Sequence, residues 1–466
     1  MKSKFAAFVL LFATVFVLAS CLSTDDNYTY TDNSAITGFS VSTGKQYLHV
    51  KSSTGGDSTV TNELTLSSYK FYIDQVKCEI YNPDSLPYGV DAAKLLCSVS
   101  SSNSGVVVIK NTDSDTLKYF STTDSLDFTQ VRELQVYSNS GQGIRKYAVR
   151  VNVHREAADS FAWHAMPACE ALKQLTQVRT VAAGECMLLF GTDGTHTRLF
   201  ASTGNGWSES NRLLAADAYR GVVAKGGRVY VSDGGDILST ADGSQWTVES
   251  TAAGITRLVA ASRFRLYGYA ADGRLMASAD DGHTWAAATV DDETALLPGD
   301  ETAYVALPVS TNDMTDRVLL LGTRDRAAYP ADNTLHIWGK IDEGAPGSED
   351  QTWAYYNVSA ENTHTAPLLA GLSAIYYDSR VIVFGSKDGA QPAFYKSCDN
   401  GITWYADTTF TLPADFAEAE RTDRAATAYS LAADAQNVLW LVNAKNGMTW
   451  RGRINRLGWK KEQTKY

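Results

Sequence analysis

The chain has 466 residues, with 41 Lys and Arg against 52 Asp and Glu, for a formal charge of −11. That length exceeds one ordinary domain, so two are expected. The acidic balance carries no clustered Lys/Arg face, which argues against a nucleic-acid partner. Thirty-five Gly and 24 Tyr beside only 10 Pro suit many short strands and tight turns.

Residues 1–20 place Lys2 and Lys4 ahead of an apolar run from Phe5 to Leu18. This is the pattern of a secretory signal, too short to span a membrane comfortably. It ends in Leu18-Ala19-Ser20-Cys21, which resembles the bacterial lipobox. The resemblance implies cleavage ahead of Cys21 and acylation of its thiol, so the membrane is an expected partner through this lipid anchor. Residues 21–34 are polar, without an apolar period, and read as a flexible tether. Within them, Ser23-Thr24-Asp25-Asp26 resembles the acidic export signal of surface-exposed lipoproteins; a plain acidic tether is the other reading. The expected location is the outer membrane, with display on the cell surface. Cys78, Cys97, Cys169, Cys186 and Cys398 form no CxxC, and the seven His form no HxH or HxxxH, so neither a metal site nor a cofactor is expected. Cys78 and Cys97 either pair in the oxidising envelope or remain two buried thiols.

From 35 to 157, short alternating runs are separated by Ser/Thr/Gly/Asn/Asp clusters, which suits an antiparallel β-sandwich. Tyr69 to Asp74 and Cys78 to Tyr81 read as strands, followed by a turn over 82–89. Val149, Val151 and Val153 alternate with polar residues, so the final strand has one buried face. The stretch resembles the immunoglobulin-like modules that follow the anchor in many bacterial surface lipoproteins, and its expected role is that of a spacer.

From 158 to 466 an internal repeat dominates. Ser278-Ala-Asp280-Asp-Gly282-His-Thr284-Trp285 and Ser397-Cys-Asp399-Asn-Gly401-Ile-Thr403-Trp404 share the pattern S-x-D-x-G-x-T-W, and Ser239 to Trp246 keeps its Ser, Gly and Trp. The pattern resembles the Asp-box, or BNR repeat, of sialidase-like β-propellers. Trp207, Trp246, Trp285, Trp353, Trp404 and Trp459 mark six units, the first steps being 39 residues, the length of a four-stranded blade. The expected fold is therefore all-β: an immunoglobulin-like sandwich followed by a six-bladed β-propeller. Phe161 to Trp163 is expected to supply a strand to the last blade and close the ring. The roles expected for Ser278, Asp280, Gly282, Thr284, Trp285, Ser397, Asp399, Gly401, Thr403 and Trp404 are structural: Gly turns the chain, Asp and Ser/Thr bond loop amides, and Trp packs between blades.

In the propellers this half resembles, ligands are handled on the face opposite the boxes. Turns expected there include Asp193-Gly194, Asp233-Gly234, Asp272-Gly273, Asp325-Arg326, Asp388-Gly389 and Asn446-Gly447. Asp-Gly and Asn-Gly are also the ordinary chemistry of hairpin turns. Two insertions add charge and an aromatic ring: Arg324, Arg326 and Tyr329 in one, and Arg421 and Arg424 on a short expected helix in the other. With Asp388 these are the candidate ligand residues, because Arg binds carboxylates and Tyr stacks on sugar rings. Sialidase-like enzymes open with an Arg-Ile-Pro motif, which this chain lacks; Arg453-Ile454-Asn455 is the nearest string. No catalytic residue is assigned. The chain also resembles, through residues 450–459, a family of bacterial surface lipoproteins that implies no particular activity. The reading favours a non-catalytic module binding glycan or protein, with a glycoside hydrolase as the alternative.

Overall fold

A computed structural model describes residues 30–51, 56–357, 361–416 and 428–460. Cys21, the signal segment, and the candidates Arg421 and Arg424 lie outside the described residues. The chain divides into two compact units, residues 1–158 with 459–466, and Asp159–Gly458. No helix among the described residues is long and apolar enough to cross a membrane.

In the first unit, a four-stranded sheet carries Asp57–Thr65, Ile36–Lys51, Leu95–Ser101 and Ser125–Leu126 in that spatial order. A six-stranded sheet carries Tyr72–Asp74, Glu79–Tyr81, Ile144–Arg150, Arg132–Tyr137, Val106–Lys110 and Leu117–Tyr119. Alternation turns one side of each strand inward, so Ile36, Val41 and Leu95 of one sheet share a core with Ile80, Leu134, Val136 and Val149 of the other. The expected strand over 69–74 is shorter than its composition suggests: only Tyr72–Asp74 pairs, while Tyr69 is buried in the preceding turn. The turn over 82–89 is held by a reciprocal pair, with Asn152 N donating to Asn82 Oδ1 at 2.7 Å and Asn82 Nδ2 to Asn152 O at 2.9 Å. Cys78 and Cys97 are free thiols, and burial holds the Cys97 thiol up at about 12.

The second unit contains six four-stranded antiparallel sheets among the described residues. Their first strands are Gln177–Ala183, Val222–Lys225, Ile255–Ala261, Thr302–Pro308, Ala370–Tyr377 and Tyr429–Ala433. Each first strand lies against the next in chain order, and the last lies against the first. Small residues such as Ala182, Ala224, Ala260, Ala306, Ala374 and Ala432 allow these strands to converge. The second strands are buried on both faces and read as continuous apolar runs, Met187 to Phe190 and Val318 to Leu321 among them. This is a β-propeller.

The tryptophans explain how the sheets stack. Trp246 of the second sheet packs with Leu188 and Leu199 of the first, and Trp285 of the third with Tyr230 and Ile237 of the second. Trp353 of the fourth meets Tyr267 of the third edge-on, with ring centroids 5.0 Å apart. Trp404 of the fifth packs with Leu319 and Ile337 of the fourth. Trp207 of the first reaches back to the sixth, 5.9 Å from Trp440, and donates to Thr449 Oγ1 at 2.8 Å.

Spacing assigned the sixth place to Trp459, but the fourth strand of the sixth sheet is Trp163–Ala165, paired antiparallel with Met448–Gly452. Trp163 therefore takes that place, in a cluster with Phe394 and Phe410 of the fifth sheet and its segment, and it donates to Thr411 O at 2.7 Å. Trp459 belongs to the first unit, where it stacks on His154 at 3.6 Å. A spacing rule reads along the chain and has no means of seeing that the ring closes with a strand from the other end.

Trp163→Ala should destabilise the second unit by about 2 kcal/mol through lost apolar contact, whereas Trp459→Ala should leave that unit unchanged. Hydrogen exchange of the 439–452 amides in the full chain checks both: faster exchange in the first variant, no change in the second.

Candidate functional site

The two S-x-D-x-G-x-T-W turns join third and fourth strands and have nearly identical geometry. Ser278 Oγ accepts from Gly282 N and donates to Asp280 Oδ1, both at 2.8 Å. Asp280 accepts from Thr284 N at 2.9 Å and from Thr284 Oγ1 at 2.6 Å. In the second turn, Ser397, Asp399, Gly401 and Thr403 repeat these bonds at 2.7 to 2.9 Å, with 2.6 Å for the hydroxyl. Gly282 and Gly401 both have φ of 98°, which only glycine adopts cheaply. Added Cβ atoms there would press on Ile237 and Leu319 of the preceding sheets. Trp285 and Trp404 donate to the Gly282 and Gly401 carbonyls, both at 3.0 Å. In the related turn at 239–246, the hydroxyl that accepts from Gly243 N is Thr240's, at 2.9 Å, one residue later than the expected Ser239.

The Thr284 hydroxyl and amide hold the Asp280 carboxyl down at about 2. For Asp399, burial pushes the carboxyl up, and the Thr403 bonds outweigh it, leaving it below its ordinary value. These carboxylates are used up in holding turns.

Of the predicted ligand residues, Arg324 makes a two-point contact with Asp332, at 2.9 and 2.7 Å, and lies over the Tyr329 ring at 3.7 Å. Asp332 also meets His336 Nε2 at 3.0 Å. Arg326 is exposed in the same loop, and Asp388 is exposed in a turn of the next sheet, at φ of 51°. The structure thus groups Arg324 with Tyr329 but not with Asp388, and none of the four lines a cavity found elsewhere in this unit.

That cavity, of about 630 Å³, lies among the first strands. Its charged lining is Arg179 and Arg220 with Asp300 and Glu301; Tyr219 and Tyr304 add hydroxyls. Arg179 donates from Nη2 to the Thr302 carbonyl on the fourth sheet. Arg220 Nη2 donates to the Asp300 carbonyl and to its Oδ1 at 3.2 Å. Arg257, from the third sheet, reaches Asp300 O at 3.2 Å and Gly299 O at 2.8 Å. The first sheet, the short helical turn Ala218–Gly221 that leads into the second, and the third sheet thus direct a guanidinium each at one segment, 299–302. Glu301 accepts from Leu372 N at 2.8 Å, and the Tyr304 hydroxyl accepts from Ala224 N at 2.7 Å.

The register fixes the end at which this happens. Gln177 pairs with Thr192, beside the Asp193-Gly194 turn, and Ala183 pairs with Cys186 at the other end. Arg179 is therefore near the second-to-third-strand turns, away from the S-x-D-x-G-x-T-W turns. Arg257 sits likewise, since Ile255 pairs with Ala270 ahead of Asp272-Gly273. Burial, then the charges of Arg220 and Arg179, bring Arg257 down to about 10. Burial also lowers Arg179 and raises the Tyr304 hydroxyl to about 12. The arrangement can orient an acceptor-rich ligand. No group of three or more His, Cys, Asp or Glu among the described residues is placed to hold a metal ion.

Sequence reasoning looked for charge in turns and missed these arginines. A signal was there: Arg179-Thr-Val-Ala-Ala183, Arg220-Gly-Val-Val-Ala224 and Arg257-Leu-Val-Ala-Ala261 repeat one pattern at the start of three successive units.

Comparison with known proteins now adds the family. Residues 157–462 match the DUF6242 beta propeller domain, and residues 39–151 match the N-terminal domain of the same family, described as a domain of unknown function. The chain belongs to the DUF6242 family. No curated protein matches it. Among solved structures, it is similar to a DUF4623 family protein from Bacteroides eggerthii, at 11% identity and a TM-score of 0.31, covering 90% of this chain and 98% of that one. It is also similar to YCF48 from Cyanidioschyzon merolae, at 15% identity and a TM-score of 0.35, over 63% and 99% of the two chains. A third is the fucose-binding lectin of Aleuria aurantia, at 15% identity and a TM-score of 0.33, over 61% and 93%.

A carboxyl depressed in the folded state stabilises it above its ordinary value, 3.8 for Asp280, and ceases to do so as pH falls through the folded value of about 2. Asp280→Ala should therefore cost about 1 kcal/mol at pH 7, after allowance for its exposure. The gap from the unsubstituted protein should close between about pH 4 and about pH 2, as urea unfolding across that range would record.

Proposed function

We propose that this protein is a cell-envelope lipoprotein whose propeller binds a glycan or protein ligand without transforming it. In this reading Cys21 carries the lipid anchor in the outer membrane, residues 22–34 are the tether, and the first unit is an immunoglobulin-like spacer. The second unit, residues 158–466 in the sequence division, is a six-bladed propeller with Asp-box turns, and it faces the outside of the cell.

The observation that carries the binding role is the state of the cavity's acids. Asp300 is held by Arg220, and Glu301 accepts from the Leu372 amide. Paired-carboxylate hydrolysis needs one acid free to give a proton and another free to attack or to activate water. Here an ion pair and a backbone amide occupy one oxygen of each acid and leave lone pairs to accept from sugar hydroxyls, in a cavity of a size suited to one or two sugar rings. A glycoside hydrolase on the same face is the second reading, because Asp300 and Glu301 do line one cavity.

The test uses the mature chain from Cys21, purified in detergent, against acidic and neutral glycans, with binding and sugar release recorded together. Binding without release is the expected outcome. Sugar release that disappears in Glu301→Gln would establish the hydrolase instead.

A further inference from the structure

The cavity's own lining balances, Arg179 and Arg220 against Asp300 and Glu301, but Arg257 behind it adds a third positive charge. Arg179, Arg220 and Arg257 converge on segment 299–302, where two carboxylates, Asp300 and Glu301, are at hand. Holding that segment in place explains part of the cluster, since the guanidinium groups satisfy the Gly299, Asp300 and Thr302 carbonyls. It does not explain why the donors are charged, because amide or hydroxyl groups would serve carbonyls without mutual repulsion. Bonds to the protein leave donors over as well. Arg179 Nε and Nη1 have no protein acceptor among the described residues, and the Arg220 side chain remains 36% exposed, with Asp300 at 47%.

A planar guanidinium with free N–H groups fits a carboxylate, taken by two parallel hydrogen bonds. The acids nearby fit a different part of the same ligand. Asp300 and Glu301 can each accept further bonds from sugar hydroxyls, whereas the Tyr304 hydroxyl is engaged by the Ala224 amide and carbonyl and that of Tyr219 donates to Gln177. Sulfate or phosphate alone would use the arginines and be repelled by the two acids. A neutral sugar would use the acids and leave the free N–H groups of Arg179 without an acceptor of matching charge. A ligand with one carboxylate and several hydroxyls answers both.

We propose that the cavity at the 299–302 end of the propeller's first strands is a site for acidic sugars, with the carboxylate held by Arg179 and Arg220. Arg257 positions the Gly299–Asp300 backbone behind them. The inference rests on the binding role above and narrows its ligand class.

Calorimetric titration of the full mature chain in detergent tests it, with glucuronate and galacturonate against glucose and galactose. The acids should bind about tenfold or more tightly than their neutral partners, and the difference should shrink as salt is raised. Arg220→Gln should abolish the preference of the acids over their neutral partners. If that variant fails to fold, the side-by-side titration of the unsubstituted protein still decides. Equal binding of acid and neutral sugars would overturn this inference and leave the binding role intact. Acid binding untouched by Arg220→Gln would place the carboxylate elsewhere and overturn it too. No binding of any sugar would remove both this inference and the glycan form of the binding role.

Discussion

The contact on which the second unit depends is the one between a tryptophan at the outer strand of each sheet and the apolar face of the sheet before it. It recurs around the ring, from Trp207 against Trp440 to Trp404 against Leu319 and Ile337. Each sheet is hydrophobic on both faces, so none is stable alone, and every sheet needs two neighbours. The sixth sheet would lack its outer strand if the chain did not supply Trp163–Ala165 from the start of the unit. That strand joins the two ends of the ring and removes the open edge.

The same closure creates the cavity. Once the first strands stand in a ring, residues at corresponding positions are brought together near the middle, although they are far apart in sequence. Arg179, Arg220 and Arg257 are such a set, and segment 299–302 of the fourth sheet lies across from them. Concentrating like charges there works against folding, and burial adds to the penalty, as the lowered Arg257 shows. Backbone carbonyls and two acids offset part of this. A bound carboxylate would offset the rest, which ties the ligand class to the physics of the fold.

Much of the architecture was legible in the sequence. The S-x-D-x-G-x-T-W strings announce their own turns, because their bonds run between residues two to four apart. The continuous apolar runs announce second strands for a similarly local reason. A closing strand was visible near Phe161 to Trp163, although the pairing residues are Trp163–Ala165; the place of Trp459 was not, since tryptophan spacing ignores which sheet a residue joins. The arginines were harder still. Each looks like an ordinary charged residue at a strand start, and their meaning emerges only when three repeats are laid over one another. The candidates chosen instead, such as Arg324, sit in a conspicuous insertion, yet Asp332 and Tyr329 already engage that guanidinium. Arg421 and Arg424 lie outside the described residues.

The most direct test of the account is a crystal structure of the protein soaked with glucuronate. The account predicts density for the sugar in the cavity between the first strands, its carboxylate within hydrogen-bond distance of Arg179 and Arg220. A glucuronate bound on the outer turns near Arg326 or Asp388, with the cavity arginines still bonded only to segment 299–302, would contradict it.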